Sequence, residues 1–223
     1  MKKTMDIKKY IAVVAAAVVL LSCAEKPRLR PGDLIFVGIP MDYSIDDDTM
    51  GSAISASTGK GALNLIHVAI ADVRADSVFI IDATLLHGVD RHPLDTFLND
   101  FTLKDGSLPV FLVKRLRKGV EAPGCIEHAL AFCGEPYDTL FTEGNGAHYC
   151  SELVRDSYLD PSGEPLFEQV PMNWKDENGE IPLYWTQLFG RMGMEVPQGK
   201  PGTNPQDMAA SDLLETVGVW KFR

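Results

Sequence analysis

Apolar residues fall into two kinds of run along this chain. The first, residues 11–21, is unbroken, follows Lys2, Lys3, Lys8 and Lys9, and stops at Leu20-Leu21-Ser22-Cys23. It is too short to span a bilayer comfortably and is flanked as a secretory signal is. The later runs are short and bounded by turn residues, and they predict a folded domain. Residues 33–37, entered through Pro31-Gly32, read as a strand. Residues 66–73 and 78–83 are strands separated by a turn over 74–77, hence a hairpin, and residues 109–116 form another strand. Helical patterns cover residues 50–58, 93–101, 184–192 and 211–217, with a closing strand over 219–222. Residues 160–205 are rich in Pro, Gly, Trp and Tyr and read as an ordered excursion on one domain. The resulting division is a signal peptide over 1–22, a polar linker over 23–30 and one domain over 31–223.

The tetrapeptide ending in Cys23 resembles a bacterial lipobox, in which the cysteine is lipidated and becomes the mature N-terminus. The expectation is a lipoprotein held at a membrane of the cell envelope by acyl chains. Some 201 residues then remain, enough for one real core. The whole chain carries a net charge of −10, and the leader holds four Lys against one Asp, so the remainder is more acidic still. That balance argues against nucleic acid, whose phosphates demand a basic face. It also argues against electrostatic attraction to anionic headgroups. We expect a monomer.

Besides Cys23 the chain has Cys125, Cys133 and Cys150. The stretch PGCIEHALAFCG reads as a helix opened by Pro123 and stopped by Gly134. Cysteines eight apart on a helix lie about 12 Å apart, too far for a disulfide. Cys125 and Cys133 are therefore expected as small buried residues.

Cys150 opens a second helical pattern, with Leu153, Val154, Ser157 and Tyr158 on the same face. A thiol there meets the positive end of the helix dipole and unpaired N–H groups. Both favour the nucleophilic thiolate, and the N–H groups can hold an oxyanion. The pattern alone also suits a core position. Two polar residues in apolar strands add weight: His67 in Ile66-His67-Val68-Ala69-Ile70 and Asp82 in Phe79-Ile80-Ile81-Asp82-Ala83. Polar groups in such runs are buried with a partner. The hairpin brings Asp82 near His67, where it could orient the imidazole; His87 is the alternative orienter. His92 reads as a surface residue before Pro93, and Asp33 as a structural carboxylate. The acidic run Asp46 to Asp48 reads as solvated loop charge. Trp174, Tyr184 and Trp185 either line a groove or fill a small core. The H-x-C and C-x-x-H spacings of His148, Cys150, Cys125 and His128 are not a common structural zinc pattern.

The motifs, taken in order, resemble the permuted NlpC-type papain-like cysteine hydrolases, in particular the YiiX/YaeF-like amidase branch. They are Pro31-Gly32-Asp33-Leu34-Ile35-Phe36, Ala53-Ile54 through Thr58, His67-Val68-Ala69-Ile70 and Asp82-Ala83. Gly134-Glu135-Pro136-Tyr137-Asp138, Tyr149-Cys150-Ser151-Glu152-Leu153-Val154 and Gly202-Thr203-Asn204-Pro205-Gln206-Asp207 with Ser211 follow. His67 precedes Cys150, which is the permuted order. The resemblance implies an α+β fold, a small, mainly antiparallel sheet packed by helices. It implies Cys150 as nucleophile, His67 as general base and then acid, and a carboxylate after the histidine strand as orienter. The branch often has Glu-Ala where this chain has Asp82-Ala83. No metal or other cofactor is expected. Tyr137, Tyr149 and Trp174 are candidate walls of a substrate site. The expected reaction is hydrolysis of an amide, in a cell-wall peptide or linked to a lipid. The alternatives are an acyltransferase or phospholipase-like esterase on the same fold, and a surface lipoprotein that binds a peptide or lipid without turning it over.

Overall fold

The structure, a computed structural model, describes residues 28–40, 50–58, 63–75 and 77–220. The expected signal peptide over residues 1–22, Cys23 and Asp46 to Asp48 lie outside the described residues. Six strands form one sheet: β1 (Asp33–Pro40), β2 (Leu63–Arg74), β3 (Ser77–Thr84), β4 (Gly88–Pro93), β5 (Val110–Leu116) and β8 (Leu214–Trp220). Their order is β4-β3-β2-β1-β5-β8, and every neighbouring pair is antiparallel. The helices are α1 (Met50–Thr58), α2 (Leu94–Asp100), α3 (Cys125–Ala131), α4 (Cys150–Ser157), α5 (Leu183–Arg191) and α6 (Pro205–Ala210). Two short strands, β6 (Val170–Pro171) and β7 (Pro201–Gly202), pair with each other within the excursion.

Both faces of the sheet are covered, which explains why its central strands read as near-continuous apolar runs. On one face Leu34, Phe36, Val68, Ile70 and Ile81 pack with Leu153 and Val154 of α4 and with Ile126 and Ala129 of α3. On the other, Ile35, Val37, Ala69 and Ile80 pack with Phe97 of α2 and with Phe111 and Trp220. The excursion has a small core of its own, in which Trp174, Trp185 and Phe189 join Met50, Ala53 and Met172. Asp33 is structural: both its oxygens lie 2.6 Å from the Arg115 guanidinium, and Oδ2 also accepts from the Arg30 N–H at 2.8 Å.

Three expectations need correction, and one strand was not anticipated. The chain over residues 211–217 is not helical. Asn204 caps α6 through its side chain, Pro205 starts it, and the residues after Ser211 extend as β8, paired along β5. β4 was not foreseen, because GVDRHP carries too many polar residues to signal a strand. It is an edge strand, which tolerates charge and proline. Cys133 is exposed and Cys125 half-buried, both free thiols, because α3 ends at Ala131 and leaves Cys133 in the turn beyond it. His92 is not on the surface: it is 5% exposed and its pairing with Ile80 turns it inward.

Candidate active site

Cys150 is the first residue of α4, behind Tyr149 in extended conformation. The helix is held at this depth by Leu153 and Val154, both fully buried. Removing a side chain such as Leu153 costs about 2–5 kcal/mol. Glu152 Oε2 reaches back to accept from the Tyr149 N–H at 3.4 Å, which satisfies one of the donors that a helix start leaves unpaired. Burial pushes the Glu152 carboxyl up to about 8, against the pull of His148.

His67 lies on β2 opposite Val37, where the register of β1 slips between Val37 and Gly38. A bulge bends the strand and re-aims the side chains beside it. Glycine is required at 38: a Cβ there would sit 2.4 Å from the Leu63 side chain. The imidazole rests on Phe101, ring centroids 4.7 Å apart, and near Phe97 at 6.3 Å. Its Nε2 lies 2.8 Å from Asp82 Oδ2, and the Asp82 side chain has no exposure. Burial alone would lower the basicity of His67. The charge of the Cys150 sulfur, a hydrogen bond to Asp82 and a hydrogen bond to Cys150 outweigh it and raise the pKa to about 10. His67 and Asp82 meet in a hydrogen bond, and Cys150 lies close enough for its charge to act on the imidazole. Since Nε2 is engaged by Asp82, Nδ1 is the nitrogen left for the sulfur. His87 does not join them; it pairs with Asp100 at 3.1 Å.

Cys150 forms part of the wall of a cavity of about 250 Å³. Tyr137, Tyr149 and Trp174 all line it, with Phe141, Met172, Trp185 and the segment from Thr203 to Asp207. Trp174 and Trp185 serve as both core and wall: they are 2% and 1% exposed and meet edge to face at 4.7 Å. Tyr184 packs on Trp185 at 5.1 Å and does not line the cavity. The Tyr149 hydroxyl accepts from the Thr203 N–H at 3.0 Å, a contact that Gly202 permits, since a Cβ there would collide with Met172. Phe141 was missed in the sequence. It holds φ at +52°, an uncommon conformation for a bulky residue, and it packs on Tyr149, Trp174 and Trp185. Nothing local in Leu140-Phe141-Thr142 signals that turn.

An α+β sheet whose histidine strand precedes the cysteine helix, with thiol, imidazole and carboxylate converging, defines a permuted papain-like protein. The chain belongs to the permuted papain-like amidase family, YaeF/YiiX, C92, whose model matches residues 28–218. It is 22% identical over 213 residues to the uncharacterized protein YiiX of Escherichia coli strain K12, covering 94% of this chain and 95% of that protein. A crystal structure described as metalloprotein yiiX from Escherichia coli O157:H7 superposes with a TM-score of 0.63 at 22% identity, covering 85% of this chain and 96% of that one.

Proposed function

We propose that the protein is a cysteine hydrolase that cleaves an amide bond through a thioester on Cys150. The observation that carries this reading is the Cys150 thiol at a helix start, facing the ring of a histidine held by a buried carboxylate. The Cys150 thiolate attacks the carbonyl carbon, and the N–H groups at the start of α4 hold the oxyanion. His67, protonated, gives its proton to the departing amine nitrogen as the C–N bond breaks. Water then attacks the thioester, His67 takes the proton from the water, and the acid leaves as the thiolate reforms. Asp82 holds the imidazole in orientation and stabilises its positive form.

The cavity favours an apolar group on the substrate. Five aromatic rings stand in its wall with Ile54 and Met172, alongside a polar side from Thr203 to Asp207, and among the described residues lining it Asp207 is the one charged side chain. Among the described lining residues no Lys or Arg would meet the carboxylates of an acidic cell-wall peptide. A hydrophobic or lipid-linked amide therefore fits better. The apolar walls also support a second reading, an esterase or acyltransferase acting on lipid esters. A lipid on Cys23 would hold the enzyme at the cell envelope, which the lysines and apolar run preceding that residue support. Although the solved relative is titled a metalloprotein, no group of three or more His, Cys, Asp or Glu among the described residues here could hold a metal ion. His148 and His128, considered above with Cys125 and Cys150, instead bond Glu135 and the Ser157 carbonyl. We assign no step to a metal.

A thiol-directed acyl probe tests the assignment. Labelling is expected on the Cys150 peptide and lost in Cys150→Ala; labelling that persists in that variant rejects it. Incubation with peptidoglycan fragments, long-chain N-acyl amides and phospholipid vesicles then separates the substrates, and cleavage of the N-acyl amides is expected.

A further inference from the structure

Asp82 spends one carboxylate oxygen on His67. The other, Oδ1, is buried and has no hydrogen-bond partner, and the same is true of both ring nitrogens of His92. These orphaned atoms face one another: His92 Nε2 lies 3.5 Å from Asp82 Oδ1. The strand register explains the meeting. Asp82 pairs with Asp90 and Ile80 with His92 across β3 and β4, so the four side chains share one face of the sheet. Behind the ring stand Phe97, stacked at 6.5 Å, and His87, edge-on at 5.8 Å. The remaining neighbour, Asp90 Oδ2, is 3.9 Å from Nδ1 and half-exposed. A buried carboxylate oxygen left without a donor is costly, and among these neighbours His92 Nε2 is the nitrogen placed to supply one.

We propose that His92 is a positioning residue. Its Nε2–H donates to Asp82 Oδ1 when the two close the last few tenths of an ångström, so that two imidazoles clamp one carboxylate. Asp82 then cannot turn away from His67, and His67 keeps Nδ1 aimed at the sulfur. Either protonation state of His92 can supply the N–H. The role deepens the hydrolase reading and rests on its assignment of Cys150 and His67. It also accounts for the burial of an imidazole on an edge strand, where a solvent-facing histidine would need no partner.

The test uses the full chain and iodoacetamide. The rate of alkylation of the Cys150 peptide, read by mass spectrometry between pH 5 and 9, reports its thiolate. His92→Phe keeps a planar ring and removes the donor. It is expected to lower the rate at pH 6 by about 10-fold, the scale of one lost hydrogen bond to a charged group, and to shift the profile toward that of His67→Ala. His92→Gln retains an N–H donor and should stay within about threefold of the wild type, since hydrogen-bond partners of the same kind substitute. An unchanged profile in a His92→Phe protein that melts as the wild type does would overturn the proposal. So would His92→Gln falling as far as His92→Phe. Should His92→Phe not fold, the wild-type protein decides by nitrogen-15 NMR. A proton on Nε2 of His92 supports the clamp, and a bare Nε2 overturns it. A wild-type profile indistinguishable from that of His67→Ala would instead remove the Cys150–His67 reading itself, before His92 enters.

Discussion

Two buried histidines in this molecule bond a carboxylate at the same distance, and they differ in what is left over. His67 Nε2 meets Asp82 at 2.8 Å, and His148 Nδ1 meets Glu135 at 2.8 Å. Each ring packs on a phenylalanine, Phe101 or Phe132. In each, burial lowers the pKa and the neighbouring anions more than restore it. His148, however, gives its second nitrogen to Asp156, 3.4 Å away. Both its nitrogens face carboxylates, and those carboxylates are a quarter to a third exposed. His67 has a fully buried partner on one side and a thiol on the other. A perturbed, buried imidazole is thus not a base by virtue of its pKa. It can serve as one when a nitrogen remains for a thiol that opens on a cavity, as the proposed roles of His67 and Cys150 require. His148, two residues before Cys150, ties the entrance of α4 to the loop carrying Glu135.

The sharpest way to break this contrast is to remove each ring in turn. His67→Ala should slow alkylation of Cys150 at pH 6 by about 100-fold or more, because an ordinary thiol with a pKa near 8.5 is almost wholly protonated there. His148→Ala should change that rate by less than about threefold in protein that remains folded, since the residue leaves the thiolate's partner in place. Equal losses would erase the distinction. A smaller effect follows from blocking the sulfur. Once Cys150 is carboxamidomethylated, its charge no longer opposes the burial of His67, and Asp82 alone supports the protonated ring. The pKa of His67, about 10 in the free protein, should fall by one unit or more, a loss of about 1.4 kcal/mol per unit. In the free protein the raised pKa contributes stability that is complete below about 6.5 and is lost as pH rises through about 10. In the alkylated protein that loss begins at lower pH. Proton NMR titration of the two rings checks this, and the His148 curve should not move.

How much of this could be read in advance depended on where each signal lay along the chain. His67 and Asp82 were legible because each breaks an apolar strand, and a hairpin turn of known position set them side by side. Cys150 was legible because a helix pattern starts on it. The sheet's central strands were legible from their apolar runs even though burial on both faces weakened the alternation. The missing pieces depended on contacts distant in sequence. β4 is stabilised by its pairing with β3 and by the Gly88 turn, not by its own composition, so His92 looked like a surface residue. The helix placed over residues 211–217 failed because β8 gains its strand conformation from β5, whose ladder outweighs local propensity. Phe141 was hidden because its left-handed backbone is imposed by the Asp138 carboxylate, which accepts from the N–H groups of Leu140 and Thr142.

The smallest effect on reactivity is expected at Glu152, and it bears on the His148 side of the comparison. Its carboxyl is held up to about 8 by burial, while in the unfolded chain it titrates near the ordinary 4.3. The native state therefore keeps a proton that the unfolded state has released. The associated stability is complete below about pH 4 and is lost as pH rises through about 8. Glu152→Gln carries no charge at any pH and can still accept from the Tyr149 N–H. It should match the wild type near pH 4 and exceed it at pH 9 by on the order of 1–2 kcal/mol once solvent screening is allowed for. Urea unfolding at the two pH values measures the difference. Alkylation of Cys150 at pH 6 should stay within about twofold, because position 152 is neutral there in both proteins, a protonated carboxyl in one and an amide in the other. A variant with an equal gain at both pH values would mean that packing, not the buried charge, separates them. A large change in alkylation would make the His148 cluster part of the chemistry and not only its scaffold.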